Sequence, residues 1–335
     1  MRITIAKPFA PFSQEFGVKL PLLRTRWVLR VYPTKWILSN GKKQTEIQFS
    51  LHGPFQNFLV MLNLEKERIE VSGKAQEGFF RFYLLSKNQI QLVTKKAPSS
   101  CKITLSGTSL EAINVEKIDP FVEKLSLGVH KTQDITMIRR RDALEEILPL
   151  WHRVAGFYPA THVSTLPVQA DVEAGPETSP KTGPKTGLEA GIEQLYKTFH
   201  GEFSGIFCPE KDPYYQRIEG SISSPLDYGP NLIRQLFFSE HGEDLHVLKK
   251  VFFPFGKMQG IQTALGSVDF SWAKKKLREL VLQVEKAGKL KIKTAPSIKY
   301  CRVFKNRSCI HKKMPLTMSM PAEAGCTYTF DRFAK

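Results

Sequence analysis

The sequence predicts an α+β, β-rich fold: an N-terminal β-sandwich, central helices, and a C-terminal β-sandwich element, with strands from both ends able to share one composite domain. Three observations carry that expectation. Short runs of branched and aromatic residues, punctuated by Gly, Pro and Asn-Gly, recur as far as Gly107; past Asp119 the apolar residues change to helical spacing; and from Leu245 the two-residue alternation returns. A chain of 335 residues with 41% hydrophobic content has enough apolar material to bury more than one sheet face.

The first segment, residues 1–118, contains VLRVYPTKWILSNGKKQTEIQFSLHG, in which Asn40-Gly41 supplies the left-handed conformation that a hairpin turn needs. FLVMLNLEKERIEVSG, GFFRFYLLSKNQIQLVTKKA and SCKITLSG continue the pattern. Strands this many need a second sheet or a closed barrel to hide their apolar sides, and a sandwich is the more economical expectation. Residues 119–166 read as helical: DPFVEKL, then TMIRRRDALEEILPLWHRVAG with Ile138, Leu144, Ile147, Leu148 and Trp151 near helical spacing. Pro149 predicts a kink or an earlier end to that helix.

Residues 167–191 carry a tandem Pro-Lys-Thr-Gly and almost no bulky apolar side chains, the composition of a flexible linker. The segment 192–300 opens with helical GIEQLYKTFHGEF and DYGPNLIRQLFFSE, then turns to strands at LHVLKKVFF, GKMQGIQTA, SVDFSWAKK, ELVLQVEKAGKLKIK and IKYCRVF. The final residues, 301–335, show no sustained period and read as a loosely docked basic tail.

Lys and Arg total 49 against 32 Asp and Glu, a net charge of +17, so the surface should attract anions such as nucleic acid, acidic glycans or anionic lipid. Five scattered cysteines do not form a disulfide framework, which favours reduced thiols and a cytoplasmic location. The opening MRITIAKPFAPF is broken by Lys7, Pro8 and Pro11, and no long apolar run occurs, so neither an ordinary export signal nor a membrane span is expected.

The stretch from Leu232 to Ile292 is similar to the ending of bacterial glycoside hydrolases of the α-L-fucosidase type. The matching features are a helix at Leu232 to Phe238, a strand at Leu245 to Leu248, a hairpin with Gly256 and Gly260 to Gly266, and a strand with Val268-Asp269 and Trp272. The resemblance covers about a fifth of the chain and implies a closing β-sandwich. It implies no catalytic residue, because that family's helical barrel has no room between Pro120 and Gly201. A second block, Leu125 to Asp134 followed by RRRDALEEILPLWHR from Arg139, resembles a bacterial protein family of unknown function.

Candidate sites follow from residue chemistry. If the segment from His130 is helical, His130 and Asp134 share a face, which would orient the imidazole for acid–base work, with Arg140 available to an anionic group. The same residues suit a charged surface helix equally well. A glycosidase would need two facing carboxylates, and Asp119, Asp134, Asp212 and Glu240 offer no distinguishing spacing.

Sugar binding needs aromatic faces and a few placed polar groups, for which Tyr214, Tyr215, Trp151 and His152 are the candidates; Trp27, Trp36 and Trp272 are expected in the core. Cys301, Cys309, His311 and Cys326 are spaced too widely for an ordinary zinc site, so no metal is assigned. No P-loop, dinucleotide fingerprint, His-Glu-x-x-His or nucleophile elbow occurs, and no cofactor is expected.

The leading expectation is a non-catalytic carbohydrate-associated or scaffolding protein. The alternative is a nucleic-acid-binding protein using lysine-rich faces such as Lys95-Lys96, Lys249-Lys250 and Lys289 to Lys293. A carbohydrate-active enzyme with a site near His130 and Asp134 ranks below both.

Overall fold

The computed structural model describes residues 3–5, 8–117, 123–129, 131–157, 225–249 and 251–334. Ten strands occupy the first part: β1 (Phe12–Ser13), β2 (Val18–Pro21), β3 (Val28–Val31), β4 (Lys35–Ser39), β5 (Gln44–Phe49), β6 (Gln56–Asn63), β7 (Arg68–Ala75), β8 (Gly78–Leu85), β9 (Gln91–Lys96) and β10 (Ile103–Gly107). They form two five-stranded sheets, ordered β1-β6-β7-β8-β9 and β10-β5-β4-β3-β2. All pairings within both sheets are antiparallel.

The two sheets meet through Trp36 on β4 and Phe49 on β5, whose rings lie 6.2 Å and 4.6 Å from Phe82 on β8. This is the sandwich that the period-2 pattern predicts. Its clearest local signal also holds: between β4 and β5, Gly41 takes φ 83° while the Asn40 side-chain oxygen accepts from the amides of Lys42 and Lys43.

Helices and a second pair of sheets follow. β11 (Lys124–Ser126), α1 (Ile135–Arg141) and α2 (Leu144–Ala155) precede α3 (Pro225–Phe237). The remaining strands are β12 (Phe238–His241), β13 (Asp244–Val247), β14 (Phe255–Thr263), β15 (Gly266–Ala273), β16 (Lys276–Val284), β17 (Gly288–Lys293), β18 (Tyr300–Lys305), β19 (Ser308–Pro315), β20 (Met320–Ala322) and β21 (Thr327–Ala334). One sheet runs β11-β14-β15-β16-β21-β18-β19 and the other β12-β13-β17-β20. Phe238 on β12 stacks on Phe270 of β15 at 6.3 Å, joining the two layers. Gly256 is required here by close approach: a Cβ at that position would sit 2.1 Å from the Trp272 ring opposite it.

Several expectations are corrected. DPFVEKL contributes strand at Lys124 and Leu125, which pair with Gln259 and Met258, rather than helix; its first four residues lie outside the described set. The long helix is two helices, because Asp142 adopts a left-handed conformation, φ 50° and ψ 37°, between them. Pro149 sits inside α2 and the helix continues, since Ile147, Leu148, Leu150, Trp151 and Val154 are all buried and hold it against β11 and α3. The last segment is no loose tail: β21 lies inside the seven-stranded sheet between β16 and β18, with Tyr328 and Phe330 buried.

The linker at 167–191 and the helix at GIEQLYKTFHGEF lie outside the described residues. Among the described residues no helix is long and apolar enough to cross a membrane.

Candidate anion-binding cleft

β13 and β17 are far apart in sequence yet run parallel and adjacent, with Asp244 opposite Lys291, Leu245 opposite Ile292 and His246 opposite Lys293. Alternation does the rest. Leu245, Val247, Leu290 and Ile292 are buried in the core, so Asp244, His246, Lys291 and Lys293 project to the other side. There a cleft of about 720 Å³ opens, closed by the 294–299 loop, the start of β18 and the turn after β19.

The cleft has a cationic rim and an apolar floor. Lys249, Lys291, Lys293 and Lys299 line it, together with Tyr300, Ile298 and Leu316. Lys293 pairs with Asp244, whose carboxyl that hydrogen bond holds below the usual carboxylate range. Lys249, Lys291 and Lys299 have no ion-pair partner among the described residues. Lys313 lies 4.3 Å over the ring of the lining residue Tyr300.

Two lining groups are shielded from solvent and lack a hydrogen-bond partner among the described residues: His246 Nδ1 and Thr294 Oγ1. Burial pushes the His246 pKa down, with Lys249, His241 and Lys293 adding to the effect and Asp244 opposing it. The imidazole is therefore neutral near pH 7. Unpaired ammonium groups, a hydroxyl and an unsatisfied imidazole around an apolar floor suit an anionic ligand that also carries an apolar part.

Of the residues singled out from sequence, Asp134, Arg140, Trp151 and His152 are among those described. Asp134 is the N-cap of α1, its carboxylate accepting from the Met137 amide at 3.0 Å. Because the helix begins only at Ile135, the helical spacing that would align His130 with Asp134 does not arise; His130 itself lies outside the described residues. Arg140 is exposed on α1, while its neighbour Arg141 forks onto Glu146.

Trp151 and His152 are corrected from ligand-binding candidates to core residues. Their exposures are 0% and 3%, and His152 Nε2 lies 3.4 Å from Glu123, at ion-pair distance but without hydrogen-bond alignment. Both are buried because they fall on the face of α2 that packs against β11 and α3. Tyr214 and Tyr215 lie outside the described residues.

On the β18–β19 hairpin Cys301 is buried opposite Met314 and Cys309 exposed opposite Phe304, which separates the two thiols. Burial pushes the Cys301 thiol up to about 12. No grouping of three or more metal-ligating side chains occurs among the described residues.

Sequence reasoning identified the basic run Lys289 to Lys293 but not its partners. The alternating Lys289-x-Lys291-x-Lys293 was a visible signal for one charged strand face; the approach of β13 was not. No protein-family model matches this sequence, and no curated protein matches it.

Proposed function

We propose that this is a non-catalytic nucleic-acid-binding protein whose C-terminal cleft grips the phosphate backbone. One observation carries the reading: four lysines from three segments of the chain line a single cleft, three of them without an ion-pair partner among the described residues. Phosphate oxygens would supply the missing counter-charges, and Thr294 and Tyr300 offer hydroxyl donors beside them. The net charge of +17 adds long-range attraction to the same ligand. The carbohydrate-associated reading rests on aromatic platforms: the four tryptophans are buried, while Tyr214 and Tyr215 lie outside the described residues.

The test is fluorescence anisotropy with a labelled single-stranded oligonucleotide across a salt series. Each neutralised phosphate contributes about −0.7 to the slope of log K against log salt, so four lysines give a slope near −3. Lys291→Ala combined with Lys299→Ala should reduce that slope to roughly half and weaken binding about tenfold at moderate salt. An unchanged slope in the double variant sinks the cleft as the phosphate site.

A pH dependence follows from His246. Its pKa lies below the ordinary imidazole value of about 6.5, so it acquires a proton only as the pH falls below that value. Protonation adds a positive charge beside Lys249 and Lys293, and polyanion affinity should rise several-fold on acidification. His246→Ala should flatten that rise. The same acid-side gain in the variant would assign the effect to another group.

A further inference from the structure

The outer face of the first sandwich carries a second basic feature that no sequence pattern displays. Phe79, at the start of β8, is 54% exposed. Its neighbour across β7 is Lys74, with Nζ 5.7 Å from the ring centroid, and on the other flank Lys96 of β9 places Nζ at 5.3 Å. Arg81, two residues along β8 on the same face, pairs in register with Lys96. An exposed ring is thus bracketed on both sides by ammonium groups from the neighbouring strands.

Lys74, Arg81 and Lys96 are all exposed and have no acidic partner among the described residues. The acids nearest in register are already engaged: Glu70 with Arg68, and Glu77 with His52. A lone exposed phenylalanine needs no explanation. One flanked by three uncompensated cations on the outer sheet face has the combination that single strands use: a π-face for a base and positive charge for the phosphates on either side.

We infer that the Lys74–Phe79–Lys96 face is a stacking platform for a base of single-stranded nucleic acid, separate from the C-terminal cleft. The choice of ligand rests on the nucleic-acid reading above; the platform's geometry does not. Phe79 supplies the stacking surface, and Lys74, Lys96 and Arg81 hold the adjoining phosphates. A duplex, whose bases are already stacked, gains nothing from the ring.

The experiment compares a labelled single strand with an abasic oligonucleotide of equal length and charge. Wild-type protein should bind the base-bearing strand roughly tenfold more tightly. Phe79→Ala should erase that preference while leaving the abasic affinity unchanged, and Phe79→Trp should keep it. Thermal unfolding of the Phe79 variants should match wild type, since the side chain is on the surface. Persistence of the preference in Phe79→Ala, or its absence from wild type, overturns the platform.

Failure of the two readings is separable. If the Lys291→Ala/Lys299→Ala protein keeps its salt slope while Phe79→Ala loses base preference, the cleft reading fails and the platform stands. If neither oligonucleotide binds wild-type protein, both fail. Sedimentation run alongside supplies the remaining control: dimerisation that Phe79→Ala abolishes assigns the patch to a second copy of the chain and overturns the proposal.

Discussion

Trp36→Ala is expected to lower the unfolding free energy by about 3–5 kcal/mol, the range for truncating a fully buried large aromatic residue. Trp36 is 1% exposed and lies between the layers of the first sandwich, with ring centroids 4.9 Å from Phe49 and 6.2 Å from Phe82. Its strand neighbours Val31 and Ile47 are themselves fully buried, so little can move in to fill the space. Alanine there leaves a cavity at the point where the sheets touch and removes two aromatic contacts.

Urea unfolding followed by fluorescence reads the loss directly. Phe79→Ala is the control, because an exposed ring on the outside of the same sandwich should change stability by no more than about 0.5 kcal/mol. A loss below about 1 kcal/mol for Trp36→Ala would mean that the sheets do not share this core.

What was legible in the sequence was local. Asn40-Gly41 marks its hairpin because the turn chemistry is contained in neighbouring residues, and the strands between Phe255 and Val284 show because each alternates over eight or nine positions. Trp36 and Trp272 read as core for the same reason. β21 did not, although TYTFDRFA alternates, because its central place depends on pairing with β16 and β18.

The break at Asp142 was hidden in a continuous helical pattern: a left-handed aspartate has no apolar signature. The candidate sites were hidden by distance. Lys291 and Lys293 join Asp244 and His246 only because a parallel pairing brings β13 beside β17, and Phe79 meets Lys74 and Lys96 only across two strand boundaries. A scan along the chain sees charge runs; it cannot see which runs share a wall.

Glu65→Gln is the second variant with a large expected effect, about 2–3 kcal/mol of destabilisation. Glu65 sits in the turn between β6 and β7, and its carboxylate accepts from Lys124 of β11 at 2.9 and 3.1 Å while facing Arg153 of α2 at 3.5 Å. The same turn holds Glu67 against Arg24, whose backbone amide donates to the Phe157 carbonyl just beyond α2. Glu65 thus ties the first sandwich to α2 and to the seven-stranded sheet.

The cost arises mainly at Arg153, which is 5% exposed. Burial pushes its pKa down, and Glu65 and Glu67 oppose that depression, so neutralising Glu65 leaves a buried guanidinium with less compensation. The full penalty for breaking a buried pair is about 3–5 kcal/mol, discounted here because the Glu65 side chain remains 31% exposed.

Adding Arg153→Met should recover part of the loss, since an apolar side chain of similar length removes the charge that needed a partner and can pack on Phe157, where the guanidinium lies 4.6 Å from the ring centroid. The measurement is a double-mutant cycle by urea unfolding. A double variant less destabilised than the sum of the singles, by about 1–2 kcal/mol, assigns the coupling to the Glu65–Arg153 contact. Strict additivity would mean that the two groups act independently and that the other contacts at this junction, Glu67 with Arg24 and the Arg24 amide with the Phe157 carbonyl among them, hold the sandwich to α2.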